Sequence, residues 1–531
     1  MKKIIIILFT ATVFFAQEEN QSQSIELPDF VITGRENISI TKVQKNMPDF
    51  IPLLSRDFFT LRYPGAEKIK INLPKVRYQI VNLPSNLQKT NLFVKLNGGL
   101  HTLPSGHIFY NNSIGNLSFN TKLYGRRILE YVDNADNHKF GGSVNAYYYV
   151  NHNSSFLPGL VINLNGDFYK EKNKFYGSEL PRLERETENG FAEFGINYLT
   201  NSKFSFGIGI KDDYYFQDDY YEFKENVIHT SGFLKIRTSK FGFNASVSML
   251  NQIIDIRIPN SNFANQYYYN GLVTFDFNSA QNIFLKAGFY VAGIEAKPFF
   301  TPVVYAKIKA NKFLSLYGEF SPNTEFHTLK DFRNSNRFYR FNNFTNVFQK
   351  NKFNLKFAAK YEFEKYFEIN FGGGYIKSDN TIYFEDRYVD GLFFVNKINA
   401  NKTYAFLNLL FRKGPFGEFF GELQIQNIKD KDGNVLPYKP VLMSNLKYSY
   451  NWQKGYGLSL GLNYFHKSFT DLENIGEISG GIDLSADFYY KIFSNFKIIL
   501  TFENALNSKY YYLRNYDAKP FDVLAGIEFK W

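Results

Sequence analysis

The chain ends with the stretch 521-FDVLAGIEFKW-531, in which apolar and polar residues alternate. Successive side chains of a β-strand point to opposite faces, so alternation gives the strand one apolar face and one polar face. The apolar face carries Phe521, Val523, Ala525, Ile527, Phe529 and Trp531, and the polar face carries Asp522, Gly526, Glu528 and Lys530. We therefore predict a β-strand that keeps an apolar face up to the last residue.

The same alternation recurs along the chain from about residue 91 onward. In 353-FNLKFAAKYEF-363 the aromatic and aliphatic residues occupy every second position, and residues 456–464 and 482–491 follow the same rule. In all, 22 such segments can be placed between residues 91 and 531, separated by Asn, Asp, Gly or Lys. Many are ten to fourteen residues long, about the length that crosses a bilayer as a tilted strand.

The composition fits alternating strands better than membrane helices. Aromatic residues make up 19% of the chain, yet the mean hydropathy is −0.31. Tyrosines cluster at 147–149, 267–269 and 510–512, and such rings suit a membrane–water interface. We therefore expect these three clusters to belong to an aromatic girdle. A soluble β-sandwich would also alternate, but it has no need for such long strands.

The first 90 residues differ from the rest. A basic start followed by the apolar run 4–16 is typical of a secretory signal peptide, and it is too short to span a bilayer as a helix. Residues 17–90 hold six of the 17 prolines, which disfavour regular sheet. We predict a signal peptide at 1–16, an extended, proline-rich periplasmic or lumenal segment at 17–90 and a barrel at 91–531.

These patterns together predict an all-β fold, a transmembrane antiparallel β-barrel in a Gram-negative-type outer membrane. We expect an even number of strands, about 22 within a range of roughly 16 to 24. The terminal aromatic on the alternating last strand resembles the signal that outer-membrane assembly machinery recognises. Val523, Ala525, Ile527, Phe529 and Trp531 would form that assembly signal. The expected partners are thus outer-membrane lipid and the barrel-assembly machinery.

Charge and cysteine content narrow the function classes. The net charge is +11, but the basic residues are dispersed, so we expect a polar lumen and anionic headgroups rather than nucleic acid as their partners. The absence of cysteine from the sequence rules out disulfides and thiolate metal sites.

Candidate catalytic and metal-binding residues are few. The seven histidines show no metal-ligand spacing, although His101 and His107 could meet within one hairpin. The acidic run from Asp212 to Glu222 could bind a cation, but a solvated loop tip is the expectation. Residues 430–434 are expected to form a turn rather than a calcium loop. No hydrolase or phosphate-loop motif is present in the sequence, so we predict neither an enzyme nor a cofactor.

Short motifs link the chain to a known family. The stretch 502-FENALNSKYY-511 resembles the end of TonB-dependent receptor barrels, where Asn-Leu-x-Asn-x-x-Tyr precedes the final strand; here Ala505 stands before Leu506. The stretch 27-LPDFVITGR-35 resembles the opening of the family's plug domain. Residues 94–100 and 172–177 resemble patches of a plug-poor subgroup, and segment 17–90 is shorter than a full plug. The resemblance implies an outer-membrane receptor barrel with a TonB-like periplasmic partner.

Two functions remain open from the sequence. The leading one is passage of solute across the outer membrane through a lumen lined by Lys356, Lys360, Asp483 and Asp487, where a surplus of lysine would favour anions. The alternative is a structural or partner-binding barrel whose N-terminal arm docks a periplasmic protein. In that case Phe30, Val31, Ile32 and Thr33 would add a strand to the partner's sheet.

Overall fold

We analysed a computed structural model of the chain. The structure describes residues 91–531 apart from 152, 200–202, 258–263, 280–281, 295–296, 343, 365, 414–416 and 453. Among these residues, none of the helices is long and apolar enough to cross a membrane. The docking strand predicted at Phe30–Thr33 and the signal peptide lie outside the described residues.

Among the residues that the structure describes, twenty-two strands build the barrel, in agreement with the sequence. They are β1 (Leu92–Gly99), β2 (Thr102–Ile114), β3 (Leu117–Ile128), β4 (Asn137–Tyr149), β5 (Leu160–Lys174), β6 (Glu184–Tyr198), β7 (Phe204–Asp218), β8 (Glu222–Arg237), β9 (Phe241–Ile256), β10 (Gln266–Ser279), β11 (Ile283–Ile294), β12 (Lys297–Lys309), β13 (Leu314–Phe320 continued by Asn323–Thr328), β14 (Asn346–Phe363), β15 (Phe367–Glu385), β16 (Phe393–Lys413), β17 (Gly417–Asp430), β18 (Leu442–Asn451), β19 (Tyr456–Phe465), β20 (Gly481–Phe493), β21 (Phe496–Glu503) and β22 (Asp522–Lys530).

Each strand pairs antiparallel with its neighbours in the chain, and the last strand closes the sheet on the first. In the closing pair Leu96 lies opposite Ile527 and Gly99 opposite Leu524. Because the first and last strands pair with each other, neither presents an open edge to lipid. The prediction of a closed antiparallel barrel of about 22 strands is therefore confirmed.

The two ends of the barrel differ in the length of their connections. Residues 115–116 and 494–495 are typical of the tight turns at one end, the short-turn end, to which Trp531 also belongs. The opposite, long-loop end carries the connections 329–345, 466–480 and 504–521. Outer-membrane barrels place short turns in the periplasm and longer loops outside the cell.

The outer surface of the wall is apolar, as the alternation predicts. Ile208, Phe275, Phe300 and Phe357 come from four different strands, and each exposes 60% or more of its surface. Large apolar side chains that are exposed all round a closed barrel form the surface that lipid covers. The largest cluster of buried apolar residues lies at the long-loop end instead.

The hairpin at residues 380–396 and the tyrosine cluster 510–512 both lie at the long-loop end. The region 380–396 forms a hairpin, since β15 extends to Glu385 and β16 begins at Phe393. The girdle prediction is wrong for Tyr510, which is only 3% exposed and packs in a loop with its ring 5.4 Å from that of Phe465. A tyrosine cluster marks a strand end only where no neighbouring loop buries it.

Candidate functional site

A segment between β13 and β14 folds back into the long-loop end of the barrel. We call residues 329–345 the cap segment. It begins with the short helix α1 (Leu329–Ser335), whose start is fixed by a hydrogen bond of 2.9 Å from the backbone N–H of Thr328 to Oδ2 of Asp331. A carboxylate three residues into a helix is a common way to satisfy a free N–H at its start. Leu329 and Phe332 on this helix are both 0% exposed.

Aromatic side chains from several loops hold the cap segment in place. The ring of Phe338 stacks on that of Tyr516 with centroids 3.7 Å apart, and it also contacts Phe175 and Tyr176. The hydroxyl of Tyr516 donates a hydrogen bond of 2.8 Å to the carbonyl of Gly391. Segments 175–183, 386–392 and 504–521 therefore converge on one apolar cluster together with the cap segment.

Arg185 on β6 binds the cap segment through its guanidinium. Its Nη1 and Nη2 donate to the carbonyl oxygens of Arg337 and Tyr339 at 2.9 and 2.5 Å, and its Nε donates to Oδ2 of Asp219 at 2.7 Å. The side chain is 1% exposed and lies 4.6 Å from the centre of the Phe175 ring. A planar group with five donors suits such simultaneous contacts.

A second set of contacts joins the cap segment to β5. Arg333 and Arg337 both reach the carboxylate of Glu171, at N–O distances of 2.9 and 2.5 Å. Burial alone would lower the pKa of the Arg333 guanidinium, but the Glu171 carboxylate outweighs it and the pKa is raised. Arg333 therefore remains a cation, and the pair is an ionic contact.

The start of α1 rests on a carboxylate from β8. Glu225 is 1% exposed and accepts hydrogen bonds of 3.1 and 3.0 Å from the backbone N–H groups of Leu329 and Lys330. Its Oε1 also accepts from Nε2 of Gln252 on β9, and that nitrogen donates to the carbonyl of Thr345 at 2.9 Å. Both ends of the cap segment are therefore attached to β8 and β9.

The acidic run around β7 is not simply the solvated loop tip that the sequence predicts. Asp219 is buried against Arg185, and Asp213 accepts a hydrogen bond of 2.8 Å from Nζ of Lys330. Asp212 and Asp218 are exposed, and Glu222 pairs with the exposed Arg257, so these three carboxylates match the expectation. Partners that lie far away in the sequence determine the role of the buried carboxylates.

A cavity of about 550 Å³ lies beside the helix. It is bounded by strands β8, β9 and β10 and by the second segment of β13, and its walls are His229, Ser248, Leu250, Tyr268, Asn270, Thr324, Glu325, Phe326, His327, Asp331, Asn334 and Ser335. The ring of His229 hydrogen-bonds Ser248 at 2.7 Å, and Tyr268 bonds Thr324 at 2.9 Å. Such walls offer hydrogen bonds and ring faces to a solute. Among the described residues, the structure groups no three His, Cys, Asp or Glu side chains that could hold a metal.

The structure separates the two histidines that the sequence suggests could meet in one hairpin. His107 stacks on Phe93 with ring centroids 5.1 Å apart, and His101 contacts Tyr131. Residues 430–434 form a turn in which Asp430 accepts hydrogen bonds from the backbone N–H groups of Asp432 and Asn434.

The residues predicted to face the lumen lie on the face opposite to the exposed apolar side chains of their strands. Lys356 lies 5.4 Å from the ring of Phe406, and Lys360 forms ion pairs with Glu362 and Glu368. Asp487 accepts a hydrogen bond of 2.6 Å from Thr501. Asp483 neighbours Asn463 in the β19–β20 ladder. The lysine charge is thus partly neutralised at Lys360, which weakens the basis for anion preference there.

The residues of the predicted assembly signal lie on β22 and at its end. Ile527 and Trp531 are 42% and 72% exposed. Val523, Ala525 and Phe529 share the side of the strand on which Ile527 lies, whereas Glu528 on the other side is 9% exposed and pairs with Lys497.

Known proteins resemble this chain in structure but not in sequence. No protein-family model matches the chain, and no curated protein matches it in sequence. The siderophore receptor PiuA from Acinetobacter baumannii superposes with a TM-score of 0.65 at 10% identity, covering 83% of this chain and 81% of the receptor. The ferric-catecholate import receptor Fiu from Escherichia coli K12 gives 0.63 at 11% identity, covering 83% and 82%.

The FrpB iron transporter from Neisseria meningitidis gives 0.65 at 10% identity, covering 84% of this chain and 82% of the transporter. At such low identity these similarities establish the fold. The chain has the 22-stranded outer-membrane barrel fold of these receptors, the fold that its sequence resemblance to TonB-dependent receptors predicts.

Proposed function

We propose that the protein carries a solute across the outer membrane through the barrel, and that the cap segment closes the long-loop end between transport events. The observation that carries this proposal is the cap segment itself. A barrel with a purely structural role has no need for a buried loop that is fixed by an ion pair to β5 and by hydrogen bonds to side chains of β6 and β8. Solved barrels with this fold include an import receptor and transporters by name, which supports the transport class.

The cavity beside α1 suggests where a solute would bind. It combines hydroxyl, amide and imidazole groups with the aromatic rings of Tyr268 and Phe326, which stack on each other with centroids 5.5 Å apart. Because Asp331, Asn334 and Ser335 belong to α1, movement of the cap segment would open one wall of the cavity. Binding and release would thus be coupled to cap movement.

The test is deletion of the cap segment. Thr328 and Asn346 are ladder partners, so a two-residue Asn-Gly turn can join them without strain. The matched control deletes the loop 466–480, because its flanking residues Phe465 and Gly481 are also ladder partners. Since the chain lacks cysteine, a single His229→Cys substitution reports access to the cavity.

We expect an impermeant maleimide to label the His229→Cys variant on intact cells many times faster after cap deletion than in the full chain or the control. We also expect the cap deletion to raise single-channel conductance in planar bilayers. Unchanged labelling would show that the cap segment does not close the outer end. Faster labelling without any conductance in the cap-deletion variant would leave the cap segment as a lid but refute the transport proposal.

A further inference from the structure

The wall of the barrel has a notch beside β12. The ladder between β12 and β13 extends only from Val304 opposite Phe320 to Lys309 opposite Ser315. Residues 298–303 continue to pair with β11, but among the residues that the structure describes they have no ladder partner on the side of β13. Six residues of strand correspond to an open edge of about 20 Å.

The notch arises because the neighbouring strand leaves the wall. After Phe320 the chain turns inward, and the second segment of β13 pairs only with the first residues of β14, from Asn323 opposite Asn351 to Thr328 opposite Asn346. Thr324 hydrogen-bonds the hydroxyls of Tyr268 and Tyr290, each at 2.9 Å. The segment therefore lies against the inner faces of β10 and β11 rather than beside β12.

The notch lies within the apolar outer surface. Phe300 and Val304 on β12 are 65% and 46% exposed, and Phe300 stacks on the outward ring of Phe289 at 5.3 Å. At the margin of the notch nearer the short-turn end, the ring centroids of Phe320 and Phe353 lie 5.3 Å apart. These margins are thus apolar, and the opening faces hydrocarbon rather than water.

Proline removes most of the hydrogen-bond donors that this edge would present. The N–H of Lys309 donates to the carbonyl of Asn282, just before β11, so odd-numbered residues of β12 bond to β11 and even-numbered ones face the notch. Of the three even positions, Pro298 and Pro302 have no N–H, which leaves only that of Phe300. Prolines of this kind protect an edge from pairing with another strand.

We propose that the notch is a lateral opening through which the hydrocarbon tail of an outer-leaflet amphiphile reaches the cavity behind the second segment of β13. An open sheet edge is costly in hydrocarbon because its backbone polar groups lack partners, and the two prolines remove two of the three N–H groups on this edge. They also disfavour strand addition by a second protein. Thr324 and Phe326 on the displaced segment line the cavity as well, so one segment forms the notch and bounds the space behind it.

The experiment uses fluorescence quenching in proteoliposomes of the full chain. A bimane label is attached to a single cysteine at Ser248→Cys, in the cavity, or at Ser485→Cys, the matched control on the inner face of β20. Phe289→Cys reports full contact with lipid. The quencher is phosphatidylcholine that carries a nitroxide on its acyl chain.

We expect quenching at position 248 to exceed that at position 485 severalfold and to approach that at position 289. Equal quenching at positions 248 and 485 would overturn the proposal. A disulfide-linked dimer formed through Phe300→Cys would overturn it too, because a second copy would then cover the edge. The proposal does not depend on the cap segment acting as a lid, which the labelling and conductance experiments test separately.

Discussion

At the scale of single residues, the cap segment depends on buried charges that sequence patterns do not reveal. Arg185 sits in the alternating segment 184-ERETENGF-191 and looks like any charged residue near a strand end. Its carbonyl partners at residues 337 and 339 are more than 150 positions away. The sequence predicts a solvated Asp219 for a similar reason, since the arginine that buries it lies 34 positions away.

We predict that Arg185→Met loosens the cap segment. It removes three hydrogen bonds and leaves the Asp219 carboxylate buried without its cation, which costs about 3–5 kcal/mol in comparable pairs. The measurement is the rate of maleimide labelling at His229→Cys, which should rise. The control is Lys172→Met, because the half-exposed pairs of Lys172 with Glu184 and Glu186 contribute about 1 kcal/mol or less. Equal labelling rates in the two variants would show that Arg185 does not hold the cap segment.

At the scale of elements, period-two alternation is sufficient to place the strands. It does not show whether a strand segment lies in the barrel wall or bends into the lumen. The alternation of 353–363 correctly predicts β14, yet β14 begins at Asn346, and its first residues bend inward with Asn323–Thr328. A strand alternates in either position. Pro322 and the register shift between Asn351 and Phe353 accompany the bend, but only the structure shows its direction.

The last strand allows its lipid-facing side to be tested against its lumenal side. Ile527 is 42% exposed on the outer surface, whereas Glu528 lies inside within 3.3 Å of both Lys497 and Lys530. A Glu528→Arg control would add a third cation to that group and would disturb the lumen. Glu528→Gln avoids this repulsion and is the better comparison.

We predict that Ile527→Arg lowers the yield of folded barrel in the membrane far more than Glu528→Gln does. A charge facing lipid costs about 2–4 kcal/mol near the bilayer midplane and less near an interface. The readouts are the amount of barrel at the cell surface and the fraction that keeps heat-modifiable mobility on gels. Similar yields for the two variants would mean that Ile527 does not face lipid.

At the scale of the whole molecule, the barrel closes along one of its shorter ladders. The strands β1 and β22 share seven residue pairs, whereas β5 and β6 share fifteen. At the long-loop end of this seam, Nζ of Lys519 binds Oδ2 of Asp522 at 2.7 Å and the hydroxyl of Thr102 at 3.0 Å. Asp522 is 0% exposed and also accepts the backbone N–H of His101. A few polar contacts thus reinforce a short ladder.

If thermal opening begins at this seam, a disulfide across it should protect the barrel more than a disulfide elsewhere. Val94→Cys with Phe529→Cys joins ladder partners 435 positions apart in the sequence. The control, Leu164→Cys with Phe194→Cys, joins partners on β5 and β6 that are 30 positions apart. Both pairs face outward, and the chain has no cysteine of its own to interfere.

Restricting the longer loop in the unfolded chain should contribute about 2 kcal/mol more than restricting the shorter one. We therefore expect the seam disulfide to raise the temperature at which heat-modifiable mobility is lost by more than the control does, and reductant should reverse both effects. An equal or smaller effect at the seam would place the first opening in another ladder. The notch beside β12 would then be the next place to look, since residues 298–303 are held by a ladder on only one side among the described residues.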